Sequence, residues 1–182
     1  EEQPTERANR QFRAMLFERN VVKTLIESVT TSPSDQWSAP IALLSSLVMS
    51  SGIQSSQIAA IFIASGGLDP TLCGKVLQHS SAQVVVDWLI IIMQLSRIDK
   101  ENSRVIDEAN IIKIITRLLD HPDASVRARA CNAIGSVCRH DDYFYEEFLE
   151  VKTVEKLIER CGDRDRSTRK WATFAIGNAA FH

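Results

Sequence analysis

The chain has 182 residues, 45% hydrophobic and 24% charged, with a net charge of −2. That balance is globular, and it argues against a dedicated nucleic-acid-binding domain, which is strongly basic. No apolar run approaches the ~18 residues of a membrane span, and the acidic opening (Glu1, Glu2, Glu6) lacks the apolar segment of a signal peptide. With 7 Gly and 5 Pro, long helices can persist. The chain opens without Met and stops at Asn178-Ala179-Ala180-Phe181-His182, the last turn of a repeat, so it reads as a fragment of a longer protein.

In chain order, the opening helix carries Glu6, Arg7, Arg10, Arg13 and Glu18, a partly polar face suited to capping an array. The turn Thr31-Ser32-Pro33-Ser34-Asp35 is longer than the later turns. The second turn, at His79-Ser80-Ser81, matches a third at His121-Pro122-Asp123, where Asp and Pro supply helix-start chemistry. Helices are predicted over 102–108, 110–119 and 123–138. In the last of these Val126, Ala130, Ala133, Ile134 and Val137 make one face of a 3.6-residue period. Thr168, Ala172, Ala175, Ile176 and Ala179 repeat that face. Gly135 and Gly177 lie inside these helices at about 1 kcal/mol relative to Ala, tolerable where a neighbouring helix must come close; a hinge is the alternative.

The strongest signal is self-similarity. Asp123-Ala124-Ser125-Val126-Arg127 through Ala133-Ile134-Gly135-Ser136 recurs 42 residues on as Asp165-Arg166-Ser167-Thr168-Arg169 through Ala175-Ile176-Gly177-Asn178. Glu18 to Lys23 is echoed by Glu108 to Lys113. Repetition of this length marks a helical solenoid, in which units unable to bury their apolar faces alone share a core by stacking. The fold expectation is all-α, a right-handed α-solenoid forming a single domain over 1–182, with units at about 8–51, 55–98, 101–140 and 143–182. The last unit has no successor, so its apolar edge is exposed or covered by a dimer partner.

Three-helix units with this pattern resemble armadillo repeats, with HEAT repeats as close relatives. Cys131 to His140, Tyr143-Phe144-Tyr145 and Lys170 to His182 further resemble the armadillo region of Fused-type serine/threonine kinases. That resemblance implies a regulatory scaffold, cytoplasmic and associated with the cytoskeleton or cilium. Members of the family act in Hedgehog signalling, motile-cilium assembly or plant cytokinesis. It implies a protein or peptide partner on a concave face, kinesin-like or intramolecular, with a homodimer as a further option. It also implies a groove lined by the long helices, in which an Asn brackets a peptide backbone and an aromatic four residues earlier packs between peptide side chains. Asn178 and Phe174 match that pair. Ser136 and Asn132, and Gln94 and Ile90, depart from it, which puts an extended-peptide mode in doubt.

The expected partner-binding set is Trp171, Phe174, Asn178, Arg169 and Lys170, with Asn132, Ser136 and Arg129 on the preceding unit. Trp171 reads as a binding anchor or as packing against the preceding unit. Arg127 and Arg169 read as an inter-repeat ladder with acids such as Asp123 and Asp165. Alternatively, Arg164, Arg166, Arg169 and Lys170 form a basic patch for an acidic segment or a phosphate, diluted by Asp163 and Asp165. Tyr143, Phe144, Tyr145 and Phe148 read as core, as do Trp37 and Trp88. Cys73, Cys131, Cys138 and Cys161 form no C-x-x-C pair and read as small hydrophobes. The histidines fall one repeat apart, which disfavours a metal site, and no cofactor is expected. There is no phosphate loop, nucleophile elbow or kinase signature, so the region is not expected to be an enzyme.

Overall fold

The computed structural model describes residues 15, 20–49, 54–140 and 142–181. Among these residues all regular structure is helical, with no strand. Helix α1 (Val21–Thr31) leads through a 3-10 turn (Ser34–Gln36) into α2 (Ser38–Val48). The second unit holds α3 (Gln54–Ala64), α4 (Pro70–Leu77) and α5 (Ala82–Ile98). The third holds α6 (Asn102–Glu108), α7 (Ile112–Leu118) and α8 (Ala124–Val137). The fourth holds α9 (Tyr145–Glu150), α10 (Thr153–Cys161) and α11 (Arg166–Ala179). The proposed polar cap on Glu6 to Glu18 lies outside the described residues.

Local chemistry sets the breaks. Just before the second helix of a unit the backbone turns left-handed at Asn20 (φ 52°), Asn110 (φ 52°) and Lys152 (φ 57°), and close to the same point at Gly66 (φ 81°). Asn and Gly enter that region cheaply; Lys does not. The Glu18/Glu108 echo is thus one shared backbone joint. The long helices of units three and four start on carboxylate caps: Asp123 accepts from the Ser125 amide at 2.7 Å and Asp165 from the Thr168 amide at 2.6 Å. Asp69 caps α4 in the same way, with Pro70 at its first position.

The same side-chain position closes the turn before each long helix. His79 Nδ1 accepts from the Ser81 amide (3.0 Å), His121 Nδ1 from the Asp123 amide (3.1 Å) and Asp163 Oδ1 from the Asp165 amide (2.9 Å). Since Nδ1 of His79 is an acceptor, its Nε2 carries the proton and donates to the Ser34 carbonyl of unit one at 3.0 Å.

The long helices stand side by side in the order α2, α5, α8, α11, each packed on the next. One continuous core runs from Val22 to Ala175, as expected for units that share their apolar faces. Trp88 is fully buried beside Phe62, with ring centroids 5.5 Å apart, and Trp37 is also buried. Cys73, Cys131 and Cys138 are buried, while Cys161 is half-buried; all four are free thiols. Burial pushes the Cys73 thiol up to about 11 and Cys131 to about 12, so both act as apolar side chains. Phe144 and Phe148 are core, whereas Tyr143 is 45% exposed, its hydroxyl donating to Asp107 across the unit boundary at 3.0 Å. The expectation that Tyr143 is core is therefore corrected: its ring meets the buried Phe144 edge-on, centroids 4.9 Å apart, and its polar end stays at the surface to reach Asp107.

Gly135 and Gly177 have different surroundings. A Cβ on Gly135 would lie 2.8 Å from Cα of Ala175 and 2.8 Å from Cδ1 of Phe174. Gly135 is thus where α11 approaches α8 most demandingly. A Cβ on Gly177 would meet nothing within 4 Å.

Two stability measurements check this account. Gly135→Ala is expected to destabilise by about 1–3 kcal/mol in chemical denaturation, since the obstructing atom includes backbone. Lys152→Asn is expected to stabilise by about 1 kcal/mol by relieving a left-handed backbone at an exposed site.

Candidate partner-binding face

Helical periodicity places Asp87, Ile90, Gln94 and Arg97 on one face of α5. The matching positions on and just beyond α8 are Arg129, Asn132, Ser136 and Arg139. On α11 they are Trp171, Phe174, Asn178 and Phe181. The eight expected residues, six on this row and Arg169 and Lys170 beside it on α11, fall into three groups.

Trp171, Phe174, Lys170 and Arg129 remain available. Trp171 and Phe174 are half-buried and meet edge to face, centroids 5.5 Å apart at 87°. Lys170 places its ammonium 4.8 Å from the Trp171 ring centroid. Arg129 and Trp171 line one open cleft of about 280 Å3 together with Val86, Ala128, Ser125, Ser167 and the helix-capping Asp165.

Asn132 and Ser136 are corrected. They are 1% and 0% exposed, covered by the neighbouring long helices, and present no surface to a partner. Ser136 donates to the Asn132 carbonyl within α8 at 2.8 Å.

Asn178 and Arg169 are engaged within the protein. Asn178 Nδ2 donates to the Gly135 carbonyl at 2.6 Å, tying α11 to α8 beside the glycine that lets them meet. Arg169 Nη1 donates to the Asp163 carbonyl (2.8 Å) and the Arg164 carbonyl (2.9 Å) of its own turn.

The inter-repeat ladder exists with a different acid from those expected. Arg127 grips Asp163 through Nε and Nη2, both at 2.9 Å, and Asp163 is 4% exposed at its side chain. Asp123 and Asp165 instead cap helices. Sequence proximity suggested them, but a ladder must bridge adjacent units, and Asp163 is the turn residue facing Arg127. A buried Thr116–Thr153 hydroxyl pair (2.9 Å) and the Lys156–Asp120 ion pair join the same two units.

Sequence reading missed Arg97 and Arg139, whose matched spacing on the same face could have revealed them. Burial lowers the Arg129 pKa and nearby Arg97 lowers it further, with Asp87 opposing. Arg97 is lowered by burial and then by Arg139. Arg97 Nε is shut from solvent with no hydrogen-bond partner. The middle of the row is therefore positively charged, bordered by an aromatic pair at its C-terminal end.

The Arg127–Asp163 pair makes stability pH-dependent. Hydrogen bonds from Arg127 hold the Asp163 carboxyl at about 2, below its ordinary value near 4. A depressed folded-state pKa contributes stability above the unfolded pKa, and that stability is lost as pH falls from about 4 towards about 2. Asp163→Asn is expected to lower stability at pH 7 by about 2 kcal/mol and to flatten this acid limb, read from denaturant midpoints at pH 7, 4 and 2.5.

Comparison with known proteins agrees with this architecture. A HEAT repeat model matches residues 111–141. The serine/threonine-protein kinase TIO of Arabidopsis thaliana is 41% identical over 105 residues, 57% of this chain and 8% of the kinase. A designed armadillo repeat protein in complex with the peptide (KR)4 superposes with a TM-score of 0.80 at 17% identity, covering 91% of this chain and 67% of that one. Computationally designed armadillo repeat proteins for modular peptide recognition give 0.80 at 18% identity with the same coverage. The chain has the fold of an armadillo/HEAT-repeat array and is similar over 105 residues to a short stretch of a much longer kinase.

Proposed function

We propose that this chain is a protein-interaction and regulatory scaffold, the armadillo part of a Fused-like serine/threonine kinase. It would hold a partner segment across the face built by α5, α8 and α11. The observation that carries this reading is the open cleft lined by Arg129 and Trp171, with Phe174 meeting the indole edge to face. Half-exposed aromatics beside a guanidinium are the side chains that anchor protein interfaces. The 41% identity to the kinase TIO supports the family reading.

The same face favours an acidic segment. Arg97, Arg129 and Arg139 share it against two acids, Asp87, which is 8% exposed, and Asp165, whose carboxylate lines the cleft but accepts from the Thr168 amide and hydroxyl. A partner could be a kinesin-like protein or another part of the same polypeptide, and the setting would be cytoplasmic and cytoskeletal. The region itself would carry no catalysis.

The test is fluorescence anisotropy with acidic and basic peptides of the same length, at two salt concentrations. Acidic peptides should bind more tightly, with affinity falling as salt rises. The combined change Trp171→Ala and Arg129→Ala should weaken binding at least about tenfold while the thermal midpoint moves little. Binding by neither peptide class, or no loss in the variant, would sink the assignment of this face.

A further inference from the structure

Two ties between units three and four, the Arg127 grip and the close approach at Gly135, have counterpart positions on unit four that lack their second half. Arg127 Nη1 donates to the carbonyls of His121 (2.8 Å) and Pro122 (2.9 Å) in its own turn, leaving Nε and Nη2 to grip Asp163 of the next unit. Arg169 makes the same two backbone bonds, to Asp163 and Arg164 at 2.8 and 2.9 Å. Its guanidinium is therefore held in the gripping orientation, yet among the described residues no carboxylate meets it.

The glycines repeat the contrast. Gly135 is closed over by Phe174 and Ala175, and its carbonyl accepts from Asn178; Gly177 faces open space. Around it the end of unit four is apolar. A cavity of about 220 Å3 is lined by Tyr145, Phe148, Leu157 and Ile176, flanked by Leu149 at 69% and Ile158 at 60% exposure. Ile158 matches Thr116 of unit three, which is 2% exposed because unit four covers it.

We propose that this end is the receiving half of an inter-unit joint. Its occupant is a further three-helix unit following in the same polypeptide. That unit would present a carboxylate to Arg169 from the turn before its long helix, and would seat an aromatic side chain on Gly177. The ties themselves select this occupant. The Arg127–Asp163, Thr116–Thr153, Thr168–Ala124 and Asn178–Gly135 ties each join residues 36–44 apart, one unit to the next. In the grip whose first half Arg169 repeats, the arginine lies on the earlier unit and the acid on the later one, whereas Asp120 with Lys156 and Arg160 has the opposite polarity. Two copies meeting through this same face would set Arg169 against Arg169, an isologous contact that repels.

The test appends a second copy of residues 143–182 to the C-terminus, because unit four already carries the required acid, aromatic and amide. Gly177→Ala and Arg169→Ala are made in both lengths of chain and read by thermal unfolding. In the 182-residue chain Gly177→Ala should raise Tm by about 2–4 °C, since alanine is the better helix residue and its methyl is unobstructed. In the extended chain the sign should reverse, and Arg169→Ala should cost more than in the shorter chain. An unchanged sign overturns the proposal. So does a concentration-dependent dimer of the 182-residue chain that Arg169→Glu dissolves, because a second copy would then be the occupant. If circular dichroism shows the appended copy unfolded, the same Gly177→Ala comparison in the full-length polypeptide decides the matter: destabilisation supports the joint, and stabilisation overturns it. Loss of acidic-peptide binding in the anisotropy experiment leaves these readouts unaffected, so the two proposals fail separately.

Discussion

The array depends on how closely its long helices approach. Helix α11 can lie against α8 because position 135 has no side chain, and the space is taken by Phe174 and Ala175. Dispersion and apolar burial fall steeply with separation, so this contact sets the depth at which the whole fourth unit docks. The polar ties around it, Asn178 to the Gly135 carbonyl and Arg127 to Asp163, have good geometry only at that depth. They fix the register of a surface that apolar packing alone would leave free to slide.

That division of labour explains which side chains are left for recognition. A solenoid must spend one side of each long helix on the previous unit and another on the next, leaving a narrow strip. In α8 the strip is nearly closed: Asn132 and Ser136 are buried, and Arg129 is half-buried. In α11 it is wider, because only one neighbour is present, and Trp171 and Phe174 stay half-exposed. The arginines on the strip owe their character to the same geometry. Partial burial and mutual proximity make Arg97 and Arg129 costly to keep charged unless an anion approaches.

Helix content and core faces were legible from periodicity. The helices predicted over 102–108, 110–119 and 123–138 form within a few residues of those limits, because cap residues such as Asp123 act locally. The echo of Glu18–Lys23 in Glu108–Lys113 was also legible, and it marks the left-handed joint at Asn20 and Asn110. The site was harder to read. Asn178 fits the ladder pattern but bonds a backbone carbonyl on the adjacent helix, and the acid that Arg127 holds lies 36 residues away.

The amino-acid sequence by itself determined that the chain is helical, that it repeats, and which stripe of each helix is apolar. Those properties follow from neighbours within one turn of helix and from a spacing that survives in one dimension. Only the tertiary structure decided that Asp163 rather than Asp165 completes the ladder, that Asn132 and Ser136 are sealed, and that Gly135 is filled while Gly177 stands open. Each depends on which side chain of the next unit arrives at a given point in space, and identical sequence positions meet different neighbours in the middle and at the end of a row.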